Sequence, residues 1–135
     1  MYGNPTFDCD GAGIRAHCRQ LATVVTITGQ LRDTNVECAG DHTERFIIPE
    51  KPFILDLSGV TSFTREAVSL LFRIDDLCDA AGLEWSLVAS RAVEQVLREH
   101  DVEFTTSGSV PAALNHFADV MVARRQLLPL LTKTA

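Results

Sequence analysis

Residues 53–81, FILDLSGVTSFTREAVSLLFRIDDLCDAA, constrain the fold more than any other stretch. Phe53-Ile54-Leu55 is a continuous apolar run, the length of a buried strand and too short for a helix. Asp56 and Ser58-Gly59 break that run and predict a turn. Beyond it, Ala67, Leu70, Leu71, Ile74, Leu77, Cys78 and Ala81 recur at the spacing of one helix face. Arg65, Glu66, Ser69, Arg73, Asp75, Asp76 and Asp79 fall largely on the other side. Thr64 stands where an N-cap is needed, and Glu66 lies near the positive end of the helix dipole. The stretch therefore reads as a buried strand, a tight turn and a long amphipathic helix.

The rest of the chain fits around that unit. Residues 1–13 hold three glycines, a proline and two aspartates, and read as a flexible lead-in. Ile14–Cys18 is predicted as a short first strand, linked by a hairpin to Thr23–Thr28, whose β-branched residues make the clearest strand of all. After the loop Gly29–Asp33, residues 35–47 are predicted to be helical, with Asp33 or Thr34 as the cap and Gly40 as a weak point. Pro49 and Pro52 end that segment ahead of Phe53. Gly82 is placed to stop the central helix, and Trp85–Val88 reads as another strand. Ser90 can cap a third helix. Val102–Thr106 is a further strand-like piece. Pro111 opens a last helix striped by Ala113, Leu114, Phe117, Ala118, Met121 and Val122. Pro129 then interrupts the tail, 124–135, as a bend or as the start of a separate short element. The order β-β-α-β-α-β-α-β-α predicts one α/β domain over 14–123. It is a single mixed sheet of about five strands, an initial hairpin followed by βα units, with about four helices.

Chemistry is sparse. There is no P-loop, GxGxxG, GxSxG or HExxH among the 135 residues, and no histidine has a nucleophile at a meaningful spacing. No catalytic residue, cofactor or metal site is assigned. A net charge of −6 argues against a general nucleic-acid binder. No apolar run reaches the ~20 residues of a membrane-spanning helix. The first residues carry neither a basic nor an apolar leader region, so a cytoplasmic protein is the expectation. Cys9, Cys18, Cys38 and Cys78 are widely spaced, with no CxxC pair. They read as thiols, with Cys78 on the apolar helix face, or as a redox-responsive set whose pairing is left open. Ser58, Thr61, Ser62 and Thr64 cluster at the predicted turn as capping groups or as a regulatory surface.

Phe53 to Thr61, with Asp-Leu-Ser-Gly-Val at its centre and a helix after it, closely resembles the signature of the STAS domain. This is the fold of bacterial anti-sigma factor antagonists and of sulfate-transporter cytoplasmic tails. Thr23–Thr28 with Gly29-Gln30-Leu31 resembles the family's second strand and its Gly-x-Leu loop, and Trp85–Val88 with Ser90–Leu97 its fourth strand and third helix. The resemblance implies a STAS fold over nearly the whole chain and a binding module, not an enzyme. Its implied partner is an anti-sigma factor, a serine kinase of the histidine-kinase-like ATPase type, whose capture frees a sigma factor. The implied contact surface is Asp33, Ser58, Gly59, Thr61, Ser62, Thr64, Arg65 and Glu66. The family pattern at the helix start is an acid, a phosphoacceptor serine, a small polar residue, a glycine and a leucine. Aligned without gaps, Thr64, Arg65, Glu66, Ala67 and Val68 stand there, so Arg65 occupies the acceptor position. Ser62 and Thr64 are the neighbouring hydroxyls that could take a phosphate instead. The alternative reading is a sensor or scaffold STAS module controlled by redox or a small ligand. Leu127, Leu128, Leu130 and Leu131 pack either on the body or on a second copy of the chain, a homodimer.

Overall fold

A computed structural model describes residues 6–134, except for the side chains of Arg124 and of 126–134. Five strands form one sheet in the order β1-β2-β3-β4-β5: β1 Phe7–Cys9, β2 Ala12–Cys18, β3 Thr23–Leu31, β4 Phe53–Phe63 and β5 Trp85–Ala89. The first three strands are antiparallel, and β3-β4-β5 run parallel. Four α-helices follow the plan: α1 Val36–Glu44, α2 Val68–Ala80 behind a 3-10 turn at Arg65–Ala67, α3 Arg91–Glu99 and α4 Val110–Thr134. This is the mixed sheet with a leading hairpin and βα units expected from the sequence.

One face of the sheet is covered by α1, α2 and α3, and the other by α4 only around Val24, Ile54 and Val88, while Arg15, His17 and Thr28 stay exposed on it. Val25, Ile27, Leu31, Leu55, Leu57 and Leu87 face α1, α2 and α3 through Ala39, Leu71, Ile74, Cys78 and Val93, all fully buried. On the other face Val24, Ile54 and Val88 meet Ala113 and Phe117 of α4. Leu31, Leu57, Val60 and Phe63 thus belong to the helix-covered side although they are not evenly spaced. Along β4 the buried residues Phe53, Leu55, Leu57, Val60 and Phe63 follow at intervals of two, two, three and three. Two register shifts against β3 account for the two extra residues.

Those bulges correct the turn predicted at Ser58-Gly59. The backbone there stays in the sheet, and β4 runs six residues beyond Leu57. Asp56 takes over the local bonding that the bulge disrupts: its Oδ1 accepts from the Ser58 N–H at 3.0 Å and the Ser58 hydroxyl at 2.7 Å.

Other differences have equally local causes. The expected flexible lead-in contributes β1, paired with β2 across Asp10-Gly11. Val102–Thr106 is not a strand. It lies along the outer edge of β5 with a single bridge between Leu87 and Thr106. Helix α1 starts after Asn35, not after Asp33 or Thr34, because the Asn35 amide is committed to the preceding loop. Gly40 is no mere weak point: a β-carbon there would lie 2.6 Å from Nη1 of Arg73. The bare backbone lets that guanidinium cross from α2 and reach Asp41 at 2.8 Å, with Glu44 beside it. Ser90 does cap α3 by accepting the Val93 N–H, and Gly82, at φ +69°, does end α2. α4 continues as one helix past Pro129. The side chains of Leu127, Leu128, Leu130 and Leu131 lie outside the described residues.

Candidate protein-binding surface

The carboxyl ends of two parallel neighbours, β3 and β4, bring the candidate residues together. Gln30 pairs with Ser62 and Leu31 with Phe63, and the Thr64 N–H donates to the Leu31 carbonyl at 3.1 Å. Asp33, in the loop leaving β3, is thereby set beside the start of the 3-10 turn. Ser58, Thr61, Ser62, Arg65 and Glu66 are exposed, Gly59 and Thr64 half-buried, and Asp33 exposed. All eight lie at or beyond the bulged half of β4 and the β3 exit, although several are strand residues and not the turn residues the sequence predicts.

Each side chain has a particular setting. The Thr61 hydroxyl donates to the Gly29 carbonyl at 3.1 Å, clamping β4 to the end of β3. Arg65 and Glu66 form an exposed ion pair at 3.8 Å, worth little in water. Both side chains stay exposed to solvent. Thr64 precedes the 3-10 turn with extended backbone but makes no side-chain cap, contrary to the expectation. Its Oγ1 is buried without a hydrogen bond. Ala67 is packed in the core, so the segment turns inward directly after Glu66 and begins α2 at Val68. Ser62 is the exposed hydroxyl of the pair singled out for phosphate, whereas Thr64 holds its oxygen inward.

The residue that holds the surface's other half is Asn35, 1% exposed. Its Oδ1 accepts from the Arg32 N–H at 2.9 Å, and its Nδ2 donates to the carbonyls of Gln30 at 2.8 Å and Asp10 at 3.2 Å. The β1–β2 turn, the β3 exit and the helix start thus meet on one amide. A cap residue immediately ahead of a helical apolar pattern was the sequence signal available for it. Gly29 completes the junction. It has φ +96°, and a β-carbon there would lie 2.3 Å from the Gly11 carbonyl oxygen.

The cysteines divide. Cys9 of β1 and Cys38 of α1 form a disulfide, with Cα atoms 5.9 Å apart. Cys18 is an exposed free thiol, with the Lys51 ammonium 3.9 Å from its sulfur. Cys78 is a free thiol buried in the core; desolvation, with Asp75 adding to it, pushes it up to about 12, so it is inert at neutral pH. Beside the disulfide, the Phe7 ring stacks on His42 at 4.0 Å. Burial, and then the Arg45 charge, hold His42 below its ordinary range. No group of three or more His, Cys, Asp or Glu side chains among the described residues is arranged to hold a metal ion. No helix among the described residues is long and apolar enough to cross a membrane.

The described residues thus form a mixed α/β module, a five-stranded sheet in this order with α1 and α2 as the crossovers and Asp56-Leu57-Ser58-Gly59 at the centre of β4. The chain belongs to the STAS-domain family, whose model matches residues 13–113. It is 44% identical over 140 residues to Osmosensory protein A of Mycobacterium tuberculosis, covering 98% of this chain and 89% of that one. Among solved structures it is similar to an anti-sigma factor antagonist from Mycobacterium paratuberculosis, at TM-score 0.70 and 15% identity over 82% of this chain and 97% of that one. It is also similar to a variant of RsbS from Moorella thermoacetica, at TM-score 0.68 and 18% identity over 80% of this chain and 97% of that one. At those identities the structural likeness is one of fold.

Proposed function

We propose that this chain is a protein-binding STAS module of the cytoplasm, an anti-sigma factor antagonist or antagonist-like protein that regulates sigma-factor-dependent transcription. Its partner is an anti-sigma factor, a serine kinase of the histidine-kinase-like ATPase type, and its action is binding without catalysis. The observation that carries the reading is the set of polar residues at the carboxyl ends of β3 and β4, where Asp33, Ser58, Thr61, Ser62, Arg65 and Glu66 stand exposed. Family membership and the antagonists among its structural neighbours support it. The name of the 44% identical relative supports osmotic stress as the setting.

The surface lacks the usual switch. Arg65 has no hydroxyl, and its side chain is 73% exposed. A kinase presented with this helix start meets a cation where a phosphate would otherwise be added. Binding is then independent of phosphorylation at that position. Affinity capture from the native cell with the full chain tests the proposal. We expect mass spectrometry to identify an anti-sigma factor or sigma-regulatory kinase, recovered at least about tenfold less with Arg65→Asp. Recovery of no such protein contradicts the proposal.

A further inference from the structure

The Cys9–Cys38 disulfide joins an edge strand to a helix at the back of the candidate surface. We propose that it is a thiol–disulfide exchange site through which a dithiol reductant controls the order of the β3 exit loop. The claim about regulation rests on the proposed function; the exchange site and its effect on the loop do not.

The two sulfurs differ in access. Cys38 is on an exposed position of α1, whereas Cys9 is 2% exposed. A thiolate of the reductant therefore attacks Sγ of Cys38. The S–S bond breaks, Cys9 leaves as a thiolate, and a mixed disulfide forms on Cys38. The reductant's second thiol then attacks its own sulfur in that mixed disulfide and releases the Cys38 thiolate. Both cysteines take up a proton, two electrons have passed to the pair, and the dithiol has become a disulfide. In a cytoplasmic protein disulfides are rare, and those that occur tend to be redox-responsive.

The route from the disulfide to the surface is short. Cys9 is followed by Asp10, whose carbonyl accepts from Asn35, and by Gly11, whose carbonyl accepts the Gln30 N–H at 3.0 Å. Asn35 in turn holds the Gln30 carbonyl and the Arg32 N–H. The same disulfide ties Cys9 to Cys38, three residues into the helix that Asn35 precedes. β1 has only three residues and pairs with β2 alone. Once the disulfide opens, β1 and its turn are held against α1 and β3 by the Phe7–His42 stack, those hydrogen bonds and the burial of Cys9. Strand β1 and the Asp10-Gly11 turn then open locally, and the loop through Asp33 loses its backing.

The full chain, air-oxidised or reduced with dithiothreitol, tests this. Peptide mapping of the oxidised chain is expected to recover Cys9 linked to Cys38, with Cys18 and Cys78 alkylated. Hydrogen exchange of the 29–36 peptide is expected to quicken about tenfold or more on reduction, and of β5 to stay unchanged. The Cys18→Ser variant should respond like the wild type, and Cys9→Ser/Cys38→Ser should show the fast pattern under both conditions. If the double variant fails to fold, the wild-type comparison still decides. Absence of the 9–38 link, or equal exchange of 29–36 in both states, overturns the proposal. Neither readout involves an anti-sigma factor, so a chain that binds none passes or fails here independently.

Discussion

At Gly29 the backbone of β3 passes so close to the β1–β2 turn that no side chain fits. The residue combines φ +96° with a backbone oxygen 2.3 Å from the place of its missing β-carbon. Left-handed strain alone costs on the order of 1–3 kcal/mol, and relief of the clash must move Gly11, which bonds Gln30. Gly29→Ala is expected to destabilise the fold by about 3 kcal/mol, a melting-temperature drop of ~10 °C for a chain of this size. A thermal melt within ~2 °C of wild type would contradict that packing. Asn35 serves the same junction differently. Its one amide satisfies two backbone carbonyls and one N–H that would otherwise be stranded. Arg65 and Thr64 show why residue types at the helix start did not translate directly into roles. Thr64 has the right chemistry for a cap yet turns its oxygen inward, because the 3-10 turn and not an α-turn follows it.

Among the elements, those specified by neighbours in sequence were legible and those specified across the sheet were not. The β-branched run of β3, the Ser90 cap and the Gly82 stop are local signals, and the structure has all three. Ser58-Gly59 carries a turn signal, but parallel pairing with Thr28 keeps it in β4 and converts the signal into a bulge. β1 has three residues and no periodicity to detect; pairing with β2 and the link to Cys38 make it a strand. Val102–Thr106 has strand-like composition but only one bridge to join. The candidate surface follows the same division. Its candidate residues come from the resemblance at the Asp-Leu-Ser-Gly stretch, the helix start and the Gly29–Asp33 loop, whereas Asn35 and the Asp10-Gly11 turn behind it depend on tertiary contact. Helix α4 tests the element scale. Phe117, 4% exposed, and Ala113 are its buried anchors against Val24, Ile54 and Val88. Phe117→Ala is expected to cost about 3–5 kcal/mol in chemical denaturation. A loss below ~1 kcal/mol would mean that the second face of the sheet does not depend on this helix.

As a whole molecule the protein is a sheet packed by helices on one face and partly covered by α4 on the other, with exposed polar side chains gathered where β3 and β4 end. The match to the STAS-domain family spans residues 13–113, and the exposed start of the helix after β4 carries Arg65 and Glu66. A buried core holds Leu57, Val60, Phe63 and Ala67 in one cluster and leaves Ser58, Thr61, Ser62, Arg65 and Glu66 exposed. Binding should therefore need little ordering of this surface, and it should be steered by the charges of Arg65 and Glu66. The most direct measurement is titration calorimetry of the full chain against the anti-sigma factor that capture identifies, before and after incubation of the pair with magnesium and ATP. The expected affinity is one that ATP leaves within about twofold and that Arg65→Asp weakens by about tenfold or more. Loss of binding after ATP, with phosphate found on this chain, or an Arg65→Asp affinity equal to wild type, would contradict it.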